Sequence, residues 1–257
     1  MKRGSLTVAG TGIKVPAHVT TEARICIENA DEVLYLVADP IGGAWIEKTN
    51  PRSRTLHSLY EPGVDRADAY AAMVEDIMDR VRSGADVCAV FYGHPGVFVN
   101  PSHAAIERAR AEGYNARMLP GISAEDCLFA DLGIDPSDSG CQSYEATDFL
   151  ARACAIDTSA ALILWQVGVL GNFTYAPTGD ISRVPLLVEY LERFYPAEHP
   201  AVCYEAALHP FVEPLIEEVR ITDLAGATLS PMATIYVPPA VVRGLDGDVG
   251  RRLLASA

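Results

Sequence analysis

The chain of 257 residues has no long hydrophobic run, no internal repeat and no compositionally biased tract. Its longest apolar stretch, Ala160 to Leu170, is interrupted by Gln166 and falls short of the ~20 residues that a bilayer span requires, so it reads as a buried strand. Lys2 and Arg3 precede only a short apolar stretch leading into Gly-Thr-Gly, with neither the apolar segment nor the cleavage site of a secretory signal. A cytoplasmic protein with no membrane partner is expected. Basic residues are scarce: 20 Lys and Arg stand against 34 Asp and Glu, a net charge of −14. Nucleic-acid binding works through clustered Lys and Arg that neutralise phosphates, so no nucleic-acid partner is expected either. The six cysteines include no C-x-x-C pair and sit mostly in apolar company, as reduced core thiols do. The six histidines include no H-E-x-x-H and no pair at helical ligand spacing, which leaves a metal site without support. Gly10-x-Gly12 lacks the third glycine of the dinucleotide fingerprint, which counts against NAD.

What is present is a globular composition, 49% hydrophobic and 21% charged, in which strand-like runs alternate with helix-like ones. Leu6 to Ala9, Val33 to Val37 and Val87 to Tyr92 are short and continuously apolar, the pattern of parallel strands covered on both faces. Between the last two, Tyr70, Met73, Val74, Ile77, Met78 and Val81 repeat at helical spacing, predicting a helix over 65–83 with Gly84 just past its end. Pro101 to Glu112 with Gly113 repeats the design, and a further helix is closed by Gly133. Beyond a polar Pro/Ser/Gly stretch ending near residue 140, strands are predicted over 161–167, 201–205, 217–221 and 232–237, with helices around Phe149 and over 185–194. The fold class expected is α/β in two domains, 1–121 and 122–240, with a short tail at 241–257 and a ligand cleft between the domains.

The stretch FYGHPGVFVNPSH, residues 91–103, ends the third strand in a constrained loop. The carboxyl end of a parallel strand faces the ligand crevice of an α/β sheet, and glycine there lets backbone approach closely. Taken alone, G-H-P-G is equally a plain tight turn, and His94 a hydrogen-bonded loop residue. Several such elements occurring in order decide between these readings.

VAGTG at the end of the first strand, FYGHPGVF, PGISA at 120–124, VCYEA and MATIYVP together resemble the tetrapyrrole methylase family of S-adenosylmethionine-dependent methyltransferases, over nearly the whole chain. YGHPGVF, PGISAEDCLFADLGIDP, QSYEATDF and LILWQVG are similar to one branch, the borosin-type enzymes that α-N-methylate backbone amides of a ribosomal peptide. His94 stands where corrin and porphyrin enzymes have aspartate. The resemblance implies S-adenosylmethionine as cofactor and S-adenosylhomocysteine as product, with no metal. It implies that Tyr92, His94, Val97 and Phe98 surround the methionine and sulfonium part, and that Ser123, Ala124, Gln166, Tyr204, Glu205, Ala233 and Thr234 hold ribose, carboxylate and adenine. Family members often carry Ser where Ala233 stands, so that hydroxyl contact is missing here. A corrin or porphyrin C-methyltransferase is the alternative within the fold.

A backbone amide nitrogen is a poor nucleophile because its lone pair is delocalised into the carbonyl. Methylating it needs a base for the N–H proton and a donor for the negative charge that moves to oxygen. LYEPGVDRADAYAAM, residues 59–73, carries Tyr60, Arg66 and Tyr70 at the branch's catalytic offsets. Arg66 and Tyr70 are neighbours on one helical face, i and i+4. The resemblance makes Tyr70 the base, with Tyr60 and Arg66 positioning the amide and its oxygen. Without it, Tyr70 is a core tyrosine and Arg66 a solvated first-turn residue. Because only VVRGLDGDVGRRLLASA follows IYVPPA, the substrate is expected to be a separate precursor peptide. The helical region 66–83 and the segment 177–200 are expected to help enclose it, in a homodimer or in a heterotetramer with the precursor.

Overall fold

A computed structural model describes residues 3–60, 63–174, 178–244 and 247–255. Glu61 and Pro62 of the L-Y-E-P-G stretch, Pro177 at the head of the segment 177–200, and tail residues 245, 246, 256 and 257 lie outside the described residues. The chain divides into two compact units. One comprises Met1–Ile134, Asn172–Pro177 and Glu205–Leu215; the other comprises Asp135–Gly171, Thr178–Tyr204 and Ile216–Ala257.

The first unit is built on β1 (Ser5–Gly10), α1 (Thr21–Asn29), β2 (Glu32–Leu36), α2 (Pro40–Thr49), β3 (Ser53–Thr55), α3 (Arg66–Arg82), β4 (Asp86–Phe91), α4 (Asn100–Ala111), β5 (Asn115–Met118) and α5 (Ala124–Leu132). Its sheet runs β3-β2-β4-β1-β5, every recorded pair parallel. Alternation along the strands sends Leu6, Val8, Ala89 and Phe91 to one face and Ala9, Cys88 and Val90 to the other. The first face meets Met73, Ile77, Val81, Ala105 and Ile106 of α3 and α4. The second meets Ala23, Ile27 and Ile46 of α1 and α2. Burial on both faces is why these strands read as unbroken apolar runs.

α3 starts where Asp65 accepts the Ala67 N–H at 2.7 Å. Its buried stripe is the predicted one, with Tyr70 half-buried at the margin. α5 stays with the first unit, so the units part at Ile134/Asp135 while the sequence places the boundary at 121/122. Gly121, three residues before α5, lies close to the first unit's loops: a Cβ on it would come within 2.6 Å of the Gly93 carbonyl oxygen and 3.1 Å of the Gly10 Cα. Buried Asn50 donates to the Ile27 and Ala30 carbonyls at 2.8 and 3.0 Å. Asn50→Ala leaves both carbonyls without that donor and is expected to destabilise the protein by about 2 kcal/mol, read as a lower urea midpoint.

The second unit carries β6 (Cys141–Glu145), α6 (Ala146–Ala151), β7 (Ala161–Trp165), α7 (Val184–Leu191), β8 (Pro200–Glu205), β9 (Leu215–Arg220), β10 (Thr234–Val237) and α8 (Gly247–Leu254). The sheet order is β6-β7-β10-β8-β9, with β6 parallel to β7 and β10 antiparallel to both β7 and β8. Leu162, Leu164, Cys203, Ile235 and Val237 pack with Phe149, Leu187 and Leu191 as its core. No helix among the described residues is long and apolar enough to cross a membrane.

Candidate functional site

In the first sheet α1, which follows β1, packs on one face and α4, which follows β4, on the other, so the chain leaves the carboxyl ends of these two neighbouring strands toward opposite faces. Such a divergence opens a crevice above the sheet. The two loops there are tied: Gly12 and Gly93, both with positive φ, exchange backbone hydrogen bonds of 3.1 Å in each direction. A Cβ on Gly10 would lie 2.3 Å from the Gly93 carbonyl oxygen and 2.7 Å from the Pro95 ring; one on Gly121 would lie 2.6 Å from the same oxygen. At these positions glycine therefore serves the approach of three loops to one another, where the sequence suggests an approach to ligand.

The G-H-P-G turn is held from several directions. The Gly96 N–H donates to His94 Nδ1 at 2.9 Å, and the Val97 N–H to the His94 carbonyl at 3.1 Å. From α4, buried Ser102 donates to the Pro95 carbonyl, and His103 Nε2 lies 3.0 Å from the Gly96 carbonyl oxygen, as donor. His94 is thus half-buried and folded back on its own loop. Phe98 leaves the loop with φ 54°, a backbone region that bulky residues seldom occupy, and the residue is 47% exposed.

A cavity of about 210 Å³ opens at the carboxyl ends of β2 and β4. Leu36, Val37 and Ala38 after β2, Phe91 and Tyr92 after β4, and Phe98, Val99 and Pro101 before α4 form its apolar wall. His57, Tyr60 and Tyr70 complete it. His57 and Tyr60 are the ends of one 3₁₀ turn, closed by the Tyr60 N–H to the His57 carbonyl at 3.0 Å. A 3₁₀ turn eclipses side chains three apart, which puts both rings on the same side. The Tyr60 and Tyr70 rings meet edge to face, with centroids 6.1 Å apart. Burial pushes the Tyr92 phenol well up, and nearby Cys127, Glu205 and Asp39 add to the shift. Tyr92 therefore keeps its proton and offers this end of the sheet a donor, not a base.

Of the residues singled out in the sequence, the structure gathers Tyr60, Tyr70, Tyr92 and Phe98 around this one cavity. Arg66, first residue of α3, does not line it; its backbone N–H donates to the Phe173 carbonyl at 2.9 Å. The Ser123 hydroxyl is engaged locally, in a capping box with Asp126 at the head of α5, where Ala124 is the first helical residue. In the second unit Gln166 ends β7 in left-handed backbone, φ 60°, and the next residue, Val167, donates to the Ala233 carbonyl at 3.2 Å. Thr234 is paired with Tyr204, so Gln166, Tyr204, Ala233 and Thr234 gather at one end of that sheet, with Glu205 following Tyr204. The sequence reading omitted His57, which follows a strand of only 3 residues, and its one signal was the H-x-x-Y spacing to Tyr60. Among the described residues, no group of His, Cys, Asp or Glu is placed to hold a metal ion.

The profile of the family described as Tetrapyrrole (Corrin/Porphyrin) Methylases matches residues 5–219. A protein of Gymnopus fusipes, named as a methyltransferase and precursor of ribosomally synthesized cyclic gymnopeptides, is 45% identical over 256 residues, covering 97% of this chain and 61% of its own. A type II borosin methyltransferase and cyclic peptide precursor of Phlebiopsis gigantea is 43% identical over 242 residues, 92% of this chain and 43% of its own. The chain thus spans about three fifths or less of the length of these relatives. Among solved structures, a uroporphyrin-III C-methyltransferase of Thermus thermophilus superposes with a TM-score of 0.67 at 20% identity, over 92% of this chain and 93% of that one. The same enzyme complexed with S-adenosylhomocysteine gives 0.63 at 15% identity, over 91% of this chain and 92% of that one. At such identities the likeness is one of fold.

Proposed function

The chain belongs to the tetrapyrrole (corrin/porphyrin) methylase family, and from that premise we propose that it is an S-adenosylmethionine-dependent methyltransferase acting on backbone amide nitrogens of a ribosomally made peptide. The observation that carries this reading is the meeting of Tyr60 and Tyr70, edge to face, in the wall of a cavity at the carboxyl ends of the sheet. No Lys, Arg, Asp or Glu is among the described residues that line it. A sulfonium cation is attracted by aromatic faces and repelled by a cationic wall, so Tyr60, Tyr70, Tyr92 and Phe98 suit it. At about 210 Å³ the cavity is below the ~300 Å³ at which pockets for whole small molecules begin, and fits the reacting end of the cofactor beside an amide. When bound, S-adenosylmethionine supplies an electrophilic methyl group.

Tyr70 is assigned the removal of the amide proton and Tyr60 the orientation of the peptide group. Arg66, one turn before Tyr70 and outside the cavity lining, is assigned the charge that develops on the amide oxygen where the peptide leaves the cavity. The uncharged wall suits a peptide whose only polar demand inside the cavity is its backbone. A separate precursor molecule as the source of that peptide is part of the same reading. The homodimer and the cytoplasmic setting belong to the same reading.

Purified protein incubated with S-adenosylmethionine and a peptide rich in aliphatic residues is expected to add mass in steps of one CH₂ to the peptide. Fragmentation is expected to locate each step on a backbone nitrogen. Steps found on the protein itself would reverse the assignment of a separate substrate, and methylation of a corrinoid or porphyrin with the peptide untouched would overturn the function. Calorimetry that detects no binding of S-adenosylmethionine or S-adenosylhomocysteine would end every methyltransferase reading.

A further inference from the structure

N-methylation of an amide sets a proton free, and a tyrosine that collects it must hand it on before the next turnover. Among the described residues that line the cavity there is no carboxylate and no amine. The one lining side chain whose neutral form carries a basic nitrogen lone pair is His57. His57 Nε2 lies 2.8 Å from the Val37 carbonyl oxygen. A carbonyl has no proton to give, so this contact fixes the proton of a neutral imidazole on Nε2 and leaves the lone pair on Nδ1. The ring also neighbours the tyrosines: His57 and Tyr60 centroids are 6.4 Å apart, and Tyr60 and Tyr70 centroids 6.1 Å apart.

We propose that His57 is the proton acceptor of this cavity, taking on Nδ1, by way of Tyr60, the proton that Tyr70 removes from the acceptor amide. The inference rests on the methyltransferase reading above. As the amide nitrogen forms its bond to the methyl carbon, the C–S bond breaks and its electron pair stays on sulfur, giving a neutral thioether. The amide proton passes to the Tyr70 oxygen as the Tyr70 hydroxyl gives its own proton to the Tyr60 oxygen, and the Tyr60 hydroxyl proton in turn arrives on His57 Nδ1. The product is an imidazolium donating from Nε2 to the Val37 carbonyl, and water later removes the Nδ1 proton. No oxidant or further reactant takes part. The Val37 carbonyl assists at the right moment, because its hydrogen bond strengthens when the ring becomes charged.

Two measurements test this. In the cofactor-free protein with ¹⁵N-labelled histidine, the His57 ring at alkaline pH is expected as the Nε2–H tautomer; an Nδ1–H tautomer would overturn the proposal. In single-turnover methylation, His57→Gln keeps a donor for the Val37 carbonyl and removes the lone pair. The rate is expected to fall about ten-fold, a decade short of the ~100-fold that begins the range of direct general-base catalysis, with cofactor affinity unchanged. In His57→Gly, added imidazoles of graded basicity are expected to restore the rate with a positive dependence on basicity. Rescue independent of basicity, or a Gln variant as fast as the parent, would make His57 a packing residue and overturn the assignment. Absence of methylation by the parent protein would instead strike the reading on which it rests.

Discussion

Tyr70→Phe is expected to slow single-turnover methylation by ~100-fold or more with cofactor and peptide affinities retained, because general-base catalysis typically contributes at least that much. Tyr70 has two roles in the structure. Its ring packs at the margin of the first unit's core, beside the helix stripe of Met73 and Val74, and it also lines the cavity facing Tyr60. Loss of the hydroxyl alone leaves the packing intact, so stability is expected to change by only about 1 kcal/mol, the net worth of one hydrogen bond. A core role and a catalytic role therefore separate cleanly in one variant. A Tyr70→Phe enzyme within a few-fold of the parent at saturating peptide and cofactor would remove Tyr70 from the proposed chemistry and pass the base to Tyr60. Tyr92→Phe is a useful companion. Its phenol is held protonated by burial, so its loss is expected to weaken cofactor or peptide binding more than it slows the chemical step.

Gly10→Ala is expected to destabilise the protein by about 3 kcal/mol or more and to abolish cofactor binding, since overpacking against a backbone that cannot yield lies at the upper end of such costs. The added methyl would sit 2.3 Å from the Gly93 carbonyl oxygen and 2.7 Å from the Pro95 ring. Both belong to the turn that the His94 and Ser102 contacts hold in place. At roughly 2–4 °C per kcal/mol for a domain of 150–250 residues, the melting temperature is expected to fall by about 6 to 12 °C. Gly226→Ala is the control, because nothing lies near that position, and a change within about 0.5 kcal/mol is expected there. A melting temperature for Gly10→Ala within 2 °C of the parent (about 0.5–1 kcal/mol) would mean that the three loops are not apposed as described. Gly96→Val discriminates less well, because a Cβ there would meet side-chain atoms, the His94 ring at 3.0 Å and the Met118 sulfur at 3.1 Å, which can move.

The sequence by itself determined the family, the α/β class and the elements buried on both sides. β1, β2 and β4 announced themselves as apolar runs because two helical layers leave no solvated face to carry polar residues. α3 was legible in the spacing of Met73, Val74, Ile77, Met78 and Val81, since a helix on a sheet buries one stripe. β3, β5 and β6 were not legible. Each is an edge strand, and Ser-Arg-Thr, Asn-Ala-Arg-Met and Cys-Gln-Ser-Tyr-Glu carry the polar residues that a half-solvated edge tolerates. α1 and α2 were missed as well: α2 opens Pro-Ile-Gly-Gly, which propensity alone rejects, and it stands because Asp39 caps it and Ile46 is buried beneath it.

Only the tertiary structure decided what the glycines do and which ring systems share the cavity. Gly10, Gly93 and Gly121 are separated by most of the first unit in sequence, and nothing local says that their backbones touch. His57 and Tyr60 face one cavity because a 3₁₀ turn eclipses them, and Tyr70 reaches the same cavity because α3 crosses back over the sheet from β3 to β4. A pattern of residue types records which faces are buried, since burial acts on each element separately. It does not record which elements meet, because that follows from the order in which the strands pair, and strand order is written in contacts between residues far apart in the chain.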